Sequence, residues 1–351
     1  MLQSCGIHRW TTNSAIMHAT SRGPEDEWKF VPEITQNRSE IEPIFPIFSH
    51  EPAVVRTPED TLALFFTYYP NGTAADCPTC NCSDGNSYSG GSECSIECGC
   101  GENKTLYSYF STAPGPYGPW SKPVSLCAVQ TSDEGNGTCH KEAGRIDTNL
   151  SPVIFPSGEL LAWTRWDIWT SDVWSDPRHY RNTGEAPDFS KGVPWEGEDP
   201  SMWVDSLGIF HILSHNGERG QNFSKNESHD CGRHFFSNTG KAGSWRVAPL
   251  LPKEDLGGCA YPRTVEFHTP EGLKYYTFYR RERPHLIFGP HGEAIALSSS
   301  VIDAPTGPSS PGWKPGSEQR DASYTLVQPL NVLNLHEVNV GYDADVSIVQ
   351  L

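Results

Sequence analysis

The chain has 351 residues, and its 43 Asp and Glu against 26 Lys and Arg give a formal net charge of −17. That balance excludes a nucleic-acid partner, because phosphate contacts need clustered Lys and Arg that are missing here. No apolar run approaches the roughly 18 residues of a membrane-spanning helix, so no membrane partner is expected. Gly (32) and Pro (29) are abundant and Met (3) is scarce, which suits short strands and tight turns within a single all-β domain spanning 1–351.

Two sequence units alternate from the N-terminus. The first is a run of small polar residues, a Gly or Pro, then a Trp: TSRGPEDEW (Thr20 to Trp28), STAPGPYGPW (Ser111 to Trp120), SNTGKAGSW (Ser237 to Trp245) and APTGPSSPGW (Ala304 to Trp313). Each reads as a turn between outer strands, with the Trp packed between neighbouring sheets. The second is a Pro followed by two β-rich runs split by a turn: HEPAVVRTPEDTLALFFTYY from His50, LSPVIFPSGELLAWTRW from Leu150, EDPSMWVDSLGIFHILSHN from Glu198 and RPHLIFGPHGEAIALSSS from Arg283. These are hairpins.

Alternating hairpins make four-stranded antiparallel blades, and four inner hairpins plus a lone outer copy predict a five-bladed β-propeller. The last blade is expected to close by pairing Ser323 to Asn334 with N-terminal strands such as SAIMHATS, which would remove exposed edges. A β-sandwich is the rival architecture.

Eleven cysteines and eight N-x-S/T sequons, at Asn37, Asn71, Asn81, Asn103, Asn136, Asn149, Asn222 and Asn226, predict a secreted, glycosylated, disulfide-bonded protein. A Cys-rich insertion at 77–100 interrupts the first blade and reads as a disulfide-tied loop; its spacings suit zinc, but it holds no His. Cys127 with Cys139, and Cys231 with Cys259, are expected local bridges, leaving Cys5 over. The opening residues lack the basic-then-apolar pattern of a signal peptide, so the start is expected to be truncated.

Residues at the starts of the inner strands crowd one end of a propeller's axis. Those positions carry His50 and Glu51 before Pro52, Asp147 before Pro152, Glu198 and Asp199 before Pro200, and Glu282 with Arg283 before Pro284. Cleaving a glycosidic bond with inversion needs one carboxylic acid to protonate the leaving oxygen and one carboxylate to activate water, and a third nearby acid raises the pKa of the proton donor.

On these residues the chain resembles glycoside hydrolase family 43 and its relatives, five-bladed propellers that cleave arabinose- and xylose-containing glycans. The resemblance implies that Glu51 in HEPAVV is the base, Asp147 in DTNLSPVIFPSGELL the pKa modulator and Glu198 in GEDPSMWVD the acid. The family has Asp at the base position. Glu51 reaches one methylene further, and a displacement of about 1 Å can cost on the order of a hundredfold in rate.

The expected substrate-binding residues are His50, Asp199, Trp169, Trp195, His215 and Arg283. The two Trp offer faces on which a sugar ring can stack, and Arg283 can clamp a substrate group or neutralise the acidic channel, as Arg280 and Arg281 are expected to do. His211 and His215 alternate like strand residues and cannot share an ion at about 13 Å. No cofactor is required and no metal-ligand cluster is visible, although the family resemblance allows a structural Ca2+ in the channel.

The reading is a monomeric glycosidase acting on a plant- or algal-type, arabinan- or xylan-like carbohydrate. Its rival is a non-catalytic carbohydrate-binding or matrix propeller. A sialidase-like propeller ranks lower, because SNTGKAGSW lacks the Asp of the Asp-box turn.

Overall fold

The computed structural model describes residues 2–4, 14–16, 18–23, 26–27, 29–31, 49–68, 107–126, 149–164, 167–185, 197–216, 232–248, 260–261, 263–278, 280–289, 292–302 and 323–330. Among them the chain is all-β apart from one short 3-10 turn at Pro177–His179. Near the N-terminus β1 (Leu2–Ser4) pairs with β2 (Ser14–Ile16), and β3 (His18–Thr20) with β4 (Lys29–Val31).

Three four-stranded antiparallel meanders follow. The first is β5 (Ser49–Arg56), β6 (Leu62–Tyr68), β7 (Tyr107–Ala113) and β8 (Val124–Ser125). The second is β9 (Ser151–Ile154), β10 (Leu160–Trp163), β11 (Asp167–Ser171) and β12 (Arg181–Glu185). The third is β13 (Gly197–Val204), β14 (Phe210–Asn216), β15 (Gly232–Ser237) and β16 (Arg246–Val247). A two-stranded hairpin, β17 (Thr264–Thr269) and β18 (Gly272–Thr277), precedes a fourth sheet of β19 (Arg280–Phe288), β20 (Ala294–Ile302) and β21 (Ser323–Pro329).

The first strand of each sheet lies against the first strand of the next: β5 meets β9, β9 meets β13 and β13 meets β19. That is the arrangement of a β-propeller, and four of its blades lie among the described residues.

The cores lie between blades. On β10, Leu160 and Ala162 face Phe65 and Phe110 of the first blade, while Leu161 and Trp163 face Met202, Ile212 and Phe235 of the third. With both sheet faces covered, all four residues of β10 are buried, and the apolar run needs no polar alternation. Trp245, from the predicted SNTGKAGSW turn, stands edge-on to Trp163 at 5.0 Å between the second and third blades. Trp120 packs on the outer face of the first blade with Ile16 and Phe66, so β2 covers that face. Trp28 and Trp313 lie outside the described residues.

Each inner hairpin turns in the same way. Thr57, Phe155, Asp205 and Gly289 donate their backbone N–H to the carbonyls of Thr61, Glu159, Ile209 and Glu293, and the residue three after each, Asp60, Gly158, Gly208 or Gly292, is left-handed. Glycine adopts that conformation without strain, which explains three of the four.

The expected closure is not seen among the described residues. Ser323–Pro329 pairs antiparallel with β20 over Ala296–Ile302 and is the third strand of its own sheet. It continues the meander onto its sequence neighbour, the shorter connection. SAIMHATS is split between β2 and β3, which pair with β1 and β4. The Cys-rich insertion, the expected bridges, Cys5 and every sequon except Asn149 lie outside the described residues.

Candidate functional site

Four non-glycine residues at the starts of the inner strands share a left-handed backbone: Glu51 (φ 54°), Asn149 (φ 71°), Asp199 (φ 52°) and Arg283 (φ 54°). Such a conformation costs about 1–3 kcal/mol for a residue with a Cβ, and its recurrence at one position of each of the four described blades points to a functional constraint. Glu51, Asp199 and Arg283 each sit at a break in strand register, between His50 and Ala53, Glu198 and Ser201, and Glu282 and His285. Such bulges suspend the alternation of a strand and re-aim a side chain, here toward the axis.

The four side chains meet in a ring that crosses every described blade. Glu51 Oε2 accepts the Asn149 backbone N–H at 2.8 Å and the Thr67 hydroxyl at 3.2 Å. Asn149 Nδ2 donates to Asp199 Oδ1 at 2.7 Å. Arg283 completes the circuit, with Nε 3.7 Å from Asp199 Oδ2 and a terminal nitrogen 3.8 Å from Glu51 Oε1. His215, buried on β14, lies beside it, with Nδ1 3.9 Å from Asp199 Oδ2 and Nε2 3.8 Å from Glu282 Oε1. The side chains of Glu51 and Asp199 are 11% and 7% exposed against 30% for Arg283, so the guanidinium is the most open member.

His285 follows on β19. It is exposed to solvent, and partial desolvation by the surrounding protein lowers its pKa from the ordinary imidazole value. Asp199 opposes this shift and Arg283 adds to it.

Glu51, Asp199, His215 and Arg283 are therefore brought together as expected. His50 and Glu198 stand on β5 and β13 one residue before Glu51 and Asp199, and their side chains lie outside the described residues. Asp147 and Trp195 also lie outside them.

Trp169 is corrected. It is 1% exposed and packs with Phe65, Phe110 and Leu160 between the first two blades, so no sugar can stack on it. Strand β11 is third from the axis, and its apolar side chains serve the blade interface. Arg281 is corrected too. It is fully buried away from the ring, donating to Ser299 Oγ and Gln328 Oε1 with its guanidinium 4.9 Å from the Tyr261 ring centre. Burial lowers its pKa to about 10. His211 points elsewhere as well: Nε2 lies 3.1 Å from Asp205 Oδ2, Nδ1 lies 2.9 Å from His234 Nε2, and both rings stack on Trp203.

Asn149 is the member sequence reasoning missed, and a signal for it was present. From Glu51 to Asp60, Asn149 to Gly158, Asp199 to Gly208 and Arg283 to Gly292 the step is nine residues each time, joining the left-handed entry to the left-handed hairpin residue. Counting back nine from Gly158 gives Asn149, not Asp147.

A calcium ion does not fit this ring. A hard dication takes six to eight oxygen ligands, whereas a guanidinium already lies within 4 Å of both carboxylates, and the described residues contain no ligand group of three or more His, Cys, Asp or Glu.

No protein-family model matches the chain, and no curated protein matches it. Among solved structures, a glycoside hydrolase family 43 protein from Bacillus licheniformis is 15% identical, aligning with 94% of this chain and 49% of its own at a TM-score of 0.47. The xylan β-1,4-xylosidase of Bacillus halodurans is 14% identical over 94% of this chain and 50% of its own, at 0.47. An endo-arabinase from Bacteroides thetaiotaomicron is 11% identical over 88% and 84%, at 0.40. The chain thus spans about half the length of the first two.

Proposed function

We propose that the chain is a secreted, monomeric glycoside hydrolase that cleaves an arabinan- or xylan-like polysaccharide by inversion, in a propeller whose fifth blade is formed around β1–β4. The observation that carries this reading is the convergence of Glu51 and Asp199, from the first and third blades, on one guanidinium at the axis. Inversion requires two carboxylates, one for the leaving oxygen and one for water; the ring holds Glu51 for the water, and Glu198, the chain neighbour of Asp199, is assigned the leaving oxygen.

In this reading Glu51 is the base. Its Oε2 is held by the Asn149 N–H and the Thr67 hydroxyl, so Oε1 is the oxygen that takes the proton from water. Glu198, in its Glu-x-Pro step, is the acid that protonates the leaving oxygen. Asp147, two residues before Asn149 in sequence, is assigned the modulator, and Asp199, His215 and Arg283 hold sugar hydroxyls. Packing of β2 against the first blade supports a fifth blade there.

The test is the Glu198→Gln variant assayed on chromogenic arabinosides and xylosides. Turnover should vanish while sugar binding persists in calorimetry; unchanged hydrolysis would sink the assignment.

A second reading, a non-catalytic carbohydrate-binding propeller, is favoured by one specific observation. Both carboxylates of the ring are engaged on both oxygens, and an amide that cannot ionise stands between them at Asn149. A glycan array that shows binding by the wild-type chain, with no released sugar on the same ligands, selects this reading.

A further inference from the structure

We propose that Asn149 is a positioning residue that fixes the orientation of both ring carboxylates, and that its sequon is therefore left unmodified in the folded protein. The inference rests on the reading of the ring as the carbohydrate site, but its tests need no substrate.

The geometry is unusual in how much one residue does. Asn149 is 6% exposed, its backbone N–H is spent on Glu51 Oε2, and its Nδ2 is spent on Asp199 Oδ1. The left-handed backbone turns both donors toward the axis. Asn149 takes one oxygen of each carboxylate, and Arg283 faces the other, Glu51 Oε1 and Asp199 Oδ2. Two acids from the first and third blades are thereby gripped from two sides, and the oxygens left toward the guanidinium are set by which ones Asn149 holds.

An Asp at this position would change the electrostatics without changing the shape. It would keep the backbone N–H to Glu51 but set a carboxylate against Asp199 Oδ1, where two like charges cannot both ionise at hydrogen-bond distance. Titratable and charged groups face this point from β5 (Glu51), β13 (Asp199), β14 (His215) and β19 (Glu282, Arg283, His285).

The same contacts explain the sequon. Asn149-Leu150-Ser151 is an acceptor by pattern, and a glycan is bulky and needs a surface site. With Nδ2 buried on Asp199, a glycosylated chain cannot close the ring.

Two measurements test the proposal. Thermal unfolding of ligand-free Asn149→Asp and Asn149→Ala is compared with wild type at pH 8 and pH 5. Asn149→Asp should lag wild type by about 3 °C or more at pH 8 and recover to within about 1 °C at pH 5, where one proton is shared, while Asn149→Ala lags equally at both. A deficit of Asn149→Asp that does not change with pH, or wild-type stability of Asn149→Ala, overturns it. Peptide mapping of wild-type protein from a glycosylating secretory host should find Asn149 bare; a glycan there in folded protein overturns it even if the variants do not fold. Absence of hydrolysis or sugar binding would count against the function, and leave these outcomes unaffected.

Discussion

Gly232 shows how a single missing side chain holds the site in shape. It lies directly across from His215 on the neighbouring strand, and a Cβ there would come within 1.8 Å of a Tyr261 ring carbon. Both partners are buried and the ring cannot retreat as a flexible side chain would. Gly232→Ala should destabilise the protein by about 3 kcal/mol, at the upper end of overpacking costs, read from urea unfolding. Glu51 is the second case. Shortening it to Asp withdraws Oε2 from the Asn149 N–H and the Thr67 hydroxyl, which are placed for the longer side chain. Glu51→Asp should therefore lose on the order of a hundredfold in kcat on any sugar substrate found. A gain in kcat would show that the reach of Glu51 is not matched to its contacts.

At the level of the blade, the interface between the third and fourth sheets carries a polar chain, buried at His211 and half-buried at its ends, beside an apolar layer. Asp205, held at its hairpin turn by the N–H groups of Leu207 and Ile209, lies against His211, which lies against His234, with Trp203 stacked on both rings. Burial, with His211 beside it, lowers the His234 pKa to about 4. In the unfolded chain that imidazole titrates near 6.5. The unfolded state therefore binds more protons between those values, and stability is full above pH 6.5 and lost as pH falls toward 4. The loss is on the order of 3 kcal/mol. Urea midpoints measured from pH 7.5 to 4.5 should fall in this window, and His234→Gln should flatten the slope even if it lowers the plateau. An unchanged slope would assign the acid sensitivity to other groups, His285 among them.

For the whole molecule, the ring is also a fastening. Arg283 belongs to the fourth blade and Glu51 to the first, so their contact ties blades that are far apart in sequence, while β21 stays with its own sheet. The guanidinium is 30% exposed and water screens it in part, so the coupling is modest. A double-mutant cycle of Glu51→Gln and Arg283→Met should give a coupling of about 1 kcal/mol in unfolding free energy. Strict additivity would show that the contact does not fasten the blades.

The hairpins, their turns and the burial of Trp245 were legible in the sequence because they depend on local chemistry: alternation along a strand, glycine where the backbone is left-handed, an aromatic beside a tight turn. The inner-strand entries were legible for the same reason, since Glu51, Asp199 and Arg283 each stand before a Pro. The second blade breaks that mark, with Leu150 after Asn149, so the Pro step did not single out Asn149, while Asp147 lies outside the described residues. Trp169 and Arg281 went wrong because a Trp or an Arg reads alike whether it faces a pocket or a blade interface, and distance from the axis decides which. The partner of β21 was equally undetermined, because a β-rich run carries no label for the strand it joins. The sequence by itself thus determined a repeating all-β chain with charged residues at its inner-strand entries. Only the tertiary structure decided that these residues close on one another in a ring, because a left-handed backbone at all four, with a register break at three, turns side chains from four separate blades toward one point.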